Sequence, residues 1–196
     1  MNNVPTILAI ESAIRGGSIA LAHNAEIIDT WVGEGGVSRA EDLLWNIDLM
    51  LKRNGIEKRE LSNIAVSAGP GSFTGIRIGL ATAMGIAASL NISLARYSIL
   101  YAMAVSQPDS ELIITAVPVG RGVICKQSFQ KNAGKITAAT KPIAVAADQF
   151  EMEIQDATIT AEDYDRGLAV CLIDAANDQR VPLADEPLFI SKPAHL

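Results

Sequence analysis

The sequence predicts an α/β protein of two lobes, with mixed sheets flanked by helices and a second lobe shorter than the first. Three observations carry this. Short apolar runs broken by turn residues open the chain as a three-strand meander, and strands and helices then alternate. A polar break at Gln107-Pro108-Asp109-Ser110 interrupts the pattern. Beyond it a second three-strand meander begins, followed by fewer and shorter elements, a hint of internal duplication. The expected division is residues 1–106 and 107–196.

The elements follow in order. Thr6 to Ile10 (TILAI) reads as a buried strand, Ser18 to Ala22 (SIALA) as the second and Glu26 to Val32 (EIIDTWV) as the third, with turns at Gly16-Gly17 and His23-Asn24. Ser38 is placed to cap a helix over about Arg39 to Asn54, with Glu41 as capping-box partner and Gly55 at its end. Leu61 to Ser67 is a fourth strand, Phe73 to Leu90 a second helix and Asn91 to Ala95 a fifth strand. Ser98 is placed to cap a third helix through Val105. In the second lobe, strands are expected at Glu111 to Val117, Val123 to Gln130, Lys135 to Thr140 and Ala157 to Ala161. A helix is expected over Ala146 to Ile154. Gly167 to Ala176 is ambiguous between helix and strand.

Of the 196 residues, 49% are hydrophobic and 19% charged, an ordinary globular composition. The net charge of −6 argues against a protein that grips nucleic acid alone, because phosphate neutralisation asks for a basic face. Cys125 and Cys171 are far apart, with no C-x-x-C pair, and read as buried thiols. The N-terminal residues lack the basic start of a signal peptide. The longest apolar run, Ile78 to Leu90, falls short of the roughly 18 to 20 residues that cross a bilayer. The expected setting is therefore the cytoplasm, away from membranes.

Two helices carry an interface signal. In the first, Leu43, Leu44, Ile47, Met50 and Leu51 form a core stripe, while Trp45 and Leu49 point away from it one turn apart. In the second, Arg77 is the lone charge, and Gly75, Gly79 and Ala83 form a ridge of small residues open to close helix approach. A helix apolar nearly all round needs burial on more than one side. The second lobe or another chain can supply it.

The loop before that helix, Ala68-Gly69-Pro70-Gly71-Ser72, reads plainly as a tight strand-to-helix corner. Its functional reading is an anion or nucleotide site, with Gly71, Ser72 and Thr74 at the helix start. Glu11, at the end of the first strand, joins it only through a resemblance to actin-like ATPases, which place an acidic residue there. No P-loop lysine accompanies it. Glu11 as a solvated strand-end carboxylate is the simpler alternative. The two histidines, His23 and His195, do not pair as metal ligands, and no G-x-S-x-G or Cys–His arrangement suggests acyl transfer.

The string GPGSFTGIRIG, Gly69 to Gly79, with ILAIESA at Ile7 to Ala13, GSIALA at Gly17 to Ala22 and EPLFISK at Glu186 to Lys192, resembles the TsaB (YeaZ) family. That family sits in the actin-like ATPase, glycoprotease-like superfamily. The resemblance implies ribonuclease-H-like lobes and a non-catalytic subunit in tRNA threonylcarbamoyladenosine (t6A) synthesis. It implies a homodimer through the two first-lobe helices, exchanged for TsaD, with TsaE in the larger complex. It implies contact with tRNA only through the complex, no cofactor of the chain's own, and ATP or ADP near the subunit junction. Trp45, Leu49, Gly75, Ile78, Gly79, Thr82 and Ala83 would lie at or near the shared interface. The sequence departs from the family's I-D-A-R-x-G-E-V-Y-like segment, where Pro118, Gly120 and Val123 stand, and from its terminal P-x-Y-x-R, where Pro187 to Ser191 stand. These losses fall on polar positions between the lobes and spare the packing helices. The other readings are an ATPase or kinase of the actin-like superfamily, and a diverged paralogue that no longer binds TsaD.

Overall fold

The computed structural model describes residues 5–14, 16–33, 39–154, 156–178 and 180–188. The expected Ser38 cap with its Glu41 partner, His195 and the end of the EPLFISK string lie outside the described residues or side chains.

The first sheet has the order β3-β2-β1-β4-β5. Its strands are β1 (Thr6–Glu11), β2 (Ser18–His23), β3 (Glu26–Val32), β4 (Asn63–Ser67) and β5 (Ser93–Tyr97). The opening meander is antiparallel, whereas β4 and β5 run parallel to β1, each reached through a helix. β1 reads as an unbroken apolar run because both of its faces are covered. Leu8, Ile10, Ile19, Leu21, Ile64 and Val66 point to one side, under α1 (Arg39–Arg53) and α2 (Phe73–Leu90). Ile7, Ala9, Ala20, Ala22 and Ala65 point to the other, under α3 (Ile99–Val105) and α5 (Ala169–Asn177).

The second sheet has the order β10-β6-β7-β8, with β9 also paired to β7. Its strands are β6 (Ser110–Gly120), β7 (Val123–Asn132), β8 (Lys135–Ala138), β9 (Ile143–Ala146) and β10 (Thr158–Thr160). Its inner face places Val117, Cys125 and Phe129 in the same core cluster as α3, α5 and the first sheet. The two lobes therefore share one core, with α3 and α5 between the sheets. The architecture is a two-lobed α/β fold built on two mixed sheets flanked by helices.

Several elements differ from expectation. The ambiguous segment is helical: α5 buries Ala169, Cys171, Leu172, Ile173 and Ala175, and its apolar run has no strand alternation because it is enclosed on several sides. β9 was not expected. It takes the first residue of the expected helix, which shortens to α4 (Ala147–Met152). Pro118 lies inside β6, just beyond the reach of β10, which pairs only with Ile114 to Ala116. Its missing N–H thus costs no ladder bond. Ser98 occupies the expected cap position of α3, but its hydroxyl makes no capping hydrogen bond. α2 spans 18 residues, so by length and composition it could cross a membrane, which the shorter Ile78–Leu90 run did not suggest. In the fold it lies along the first sheet, with Ala83 and Ala87 in the sheet's core.

Candidate functional site

The α1–α2 pair is built from one inward and one outward set of side chains. On α1, Leu43, Ile47, Met50 and Leu51 are buried, at the spacing that repeats on one helical face. Trp45 is 68% exposed and Leu49 42% exposed, on the outer face as expected. Leu44 corrects the expected stripe. It is 54% exposed, because it lies one position beyond the Leu43–Ile47 row and joins Trp45 outside.

On α2 the expected geometry is corrected. Gly75, Gly79 and Ala83 are buried and face the chain's own sheet. A Cβ on Gly75 would lie 2.1 Å from the Ser12 carbonyl oxygen, and one on Gly79 would lie 2.3 Å from Ser12 Oγ. The glycines let the helix approach the end of β1, and that contact occupies them. Ile78 and Thr82, also expected at the interface, are half-buried on the shoulder of the helix. The outer face belongs to Phe73, Arg77, Ala81, Met84, Gly85 and Ala88, all exposed. Met84 is 58% and Phe73 55% exposed, and the Arg77 guanidinium carbon lies 5.2 Å from the Phe73 ring centroid. A Cβ on Gly85 would meet only open space. The exposed surface of α1 and α2 thus carries Leu44, Trp45, Leu49, Phe73 and Met84, a concentration of large apolar groups that marks interaction surfaces.

The anion-site candidates form a corner sewn together by its own groups. Glu11 is buried, not solvated as the simpler alternative held, and its carboxylate accepts from the N–H groups of Ala13 (2.6 Å) and Ile14 (3.0 Å). The Ser72 N–H donates to Ala13 O at 2.7 Å, and Ser12 Oγ donates to Gly75 O at 2.8 Å. Ser72 Oγ caps α2 by accepting from the Gly75 N–H at 3.3 Å. A Cβ on Gly71 would lie 2.6 Å from Ala13 Cβ, so that glycine serves the same close approach. Thr74 is exposed beside the corner. The N–H groups of Ser72 and Gly75 are spent inside the chain, which leaves this helix start fewer donors for a ligand.

Elsewhere, His23 Nδ1 lies 3.0 Å from Thr6 Oγ1, in a strand-end contact. Among the described residues no group of three or more His, Cys, Asp or Glu side chains is placed to hold a metal ion. Burial pushes the Cys125 and Cys171 thiols up to about 12, so both are poor nucleophiles at neutral pH.

Sequence reasoning missed the outer face of α2. The signal was present, since Phe73, Arg77, Ala81, Met84 and Ala88 recur at helical spacing. It was masked because α2 carries small residues on two faces, Gly75-Gly79-Ala83-Ala87 and Ala81-Gly85-Ala88. The lone charge, Arg77, shares a face with Ala81 and Gly85 and so marked the outward side, but the glycine spacing drew the assignment to Gly75, Gly79 and Ala83.

Comparison with known proteins adds four findings. The model of the family described as tRNA N6-adenosine threonylcarbamoyltransferase (TsaD) matches residues 38–151. A relative from Bacillus subtilis, named as a tRNA threonylcarbamoyladenosine biosynthesis protein TsaB, is 31% identical over 149 residues, covering 75% of this chain and 65% of its own length. A protein of the same name from Buchnera aphidicola is 39% identical over 87 residues, covering 44% of this chain and 39% of its own. The chain therefore spans less than two-thirds of either relative. Among solved structures, YeaZ from Pseudomonas aeruginosa superposes with a TM-score of 0.60 at 24% identity, covering 72% of this chain and 67% of that one, a likeness of fold.

Proposed function

The chain belongs to the TsaB (YeaZ) family of the actin-like ATPase superfamily, and from that premise we propose that it is a non-catalytic scaffold in tRNA threonylcarbamoyladenosine synthesis. It pairs through the outer face of α1 and α2, first with a second copy of itself and then with TsaD, and TsaE joins the larger complex. TsaD performs the transfer to adenosine, and tRNA meets this chain only through the complex. The chain requires no cofactor of its own, and ATP or ADP sits near the subunit junction. The setting is the cytoplasm.

One observation carries the reading: Leu44, Trp45, Leu49, Phe73 and Met84 stand between 42% and 68% exposed on two adjacent helices. Burying such side chains against a partner is worth about 1.5–3 kcal/mol for each one fully covered. The groups a nucleotide enzyme would use are engaged differently. Glu11 is buried and holds two backbone N–H groups of its own turn.

Substitution at Gly75 or Gly79 would break the chain's own packing, so the test uses surface positions. Met84→Glu and Trp45→Glu variants are co-expressed with TsaD of the same organism. Loss of co-purification with unchanged circular dichroism supports the scaffold, and retention by both variants refutes the assigned face. Intact self-association without capture of TsaD by the unaltered chain would identify a diverged paralogue. Calorimetric ATP binding by the isolated chain, abolished by Glu11→Ala, would favour the nucleotide-enzyme reading.

A further inference from the structure

A second surface, remote in sequence from α1 and α2, has its own chemistry. The outer face of the second sheet, Pro118 on β6 and Ile124 on β7, is partly roofed by Phe150 of α4 and by Ile154. The resulting cleft has a volume of about 240 Å³. That is below the roughly 300–1,000 Å³ of small-molecule sites and suits one bulky side chain. Ile154 is 54% exposed at its edge, and Met152 just outside is 81% exposed. Glu151 and Glu162 line the rim from two different elements. Lys126, the base nearest Phe150, is held by Glu153 at 2.6 Å and does not line the cleft.

The surrounding sequence sets the sign of the partner. Residues 147–166 hold seven acidic residues and a single base, Arg166, a balance of −6 that equals the net charge of the whole chain. Of these, Glu151 and Glu162 reach the cleft, while Lys126, whose Nζ lies 6.0 Å from the Phe150 ring centroid, is offset by Glu153. Such a field repels phosphate and repels a second copy of this acidic chain, and it attracts a cationic partner.

We infer that this cleft docks a segment of a partner protein in which a bulky apolar side chain is flanked by lysines or arginines. The side chain enters between Ile124 and Phe150, and the flanking cations meet Glu151 and Glu162. This site is separate from the α1–α2 face and does not depend on the scaffold reading.

The test uses three fluorescein-labelled eight-residue peptides, KRKLLKRK, KRKAAKRK and EDELLEDE, with anisotropy and methyl NMR on the full chain. The leucine peptide is expected to bind at least tenfold more tightly than the alanine peptide, and the acidic peptide not at all. Its binding should shift the methyl signals of Ile124 and Ile154. A Glu151→Lys/Glu162→Lys double variant should weaken it at least tenfold, and Ile154→Ser several-fold, both with unchanged thermal melting. Equal binding of the leucine and alanine peptides would reduce the site to general attraction and overturn the proposal. So would methyl shifts confined to Leu44 and Leu49, or no binding of the leucine peptide.

Discussion

Ser12 and Gly75 hold each other in two ways. Ser12 Oγ donates to the Gly75 carbonyl at 2.8 Å, and the Ser12 carbonyl oxygen lies 2.1 Å from where a Gly75 Cβ would stand. Gly75→Ala is therefore expected to destabilise the chain by about 3 kcal/mol, the upper range for overpacking, because backbone must move. Gly79→Ala is expected to cost less, since its Cβ meets a hydroxyl that can rotate. Urea midpoints rank the two.

Gly85 gives the opposite sign. Its Cβ position is open, so Gly85→Ala is expected to stabilise the isolated chain by about 1 kcal/mol through helix propensity alone. The same change places a methyl on the proposed partner face. A higher melting temperature combined with weaker association, measured by sedimentation, would separate the two roles.

Trp45 tests exposure without packing. At 68% exposed, its replacement by Ala is expected to change stability by no more than about 0.5 kcal/mol. The same variant should weaken partner binding by at least about tenfold, as loss of an aromatic anchor does. Differential scanning calorimetry and a binding titration on one preparation check both.

Asp48 supplies a pH dependence. Hydrogen bonds from Lys52 and Lys58 bring its carboxyl down from 3.8 to about 2. Between those values the folded carboxylate stays ionised while the unfolded one is protonated, so the unfolded state binds more protons and stability rises with pH. The contribution is present above about pH 4 and is lost as pH falls through about 2. Asp48→Asn should flatten the acid limb of a urea-midpoint profile, lowering the midpoint at pH 7 and leaving it nearly unchanged near pH 2.

Cys125 and Cys171 are expected to resist a thiol reagent at pH 8 until the chain unfolds, because burial raises both to about 12. Labelling rates should therefore follow the unfolding transition. Rapid labelling of the native chain would contradict the buried assignment.

Much of the fold was legible in local pattern. The apolar runs of β1 and β2, the Ser72 cap of α2 and the turn-flanked meander each follow rules acting within a few residues. What was hidden depends on partners distant in the chain. Whether Gly79 or Gly85 faces the sheet is decided by Ser12, far away in sequence. Leu44 falls outside because the row through Leu43 already fills the space over the sheet. α5 could not be separated from a strand because enclosure removes the periodicity that distinguishes them. Trp45 and Leu49 were readable because a large apolar residue off the core stripe is anomalous without further knowledge.

The placement of α5 has a consequence for biosynthesis. The face of the first sheet bearing Ala9, Ala20 and Ala22 is covered in part by a helix, α5, that the ribosome produces well after the sheet's last strand, β5. Until then the nascent first half has one finished side and one side that α3 covers only in part, the condition in which partly made chains aggregate. Chains truncated before Ala169 should therefore be insoluble, although every strand of the first sheet is present in them.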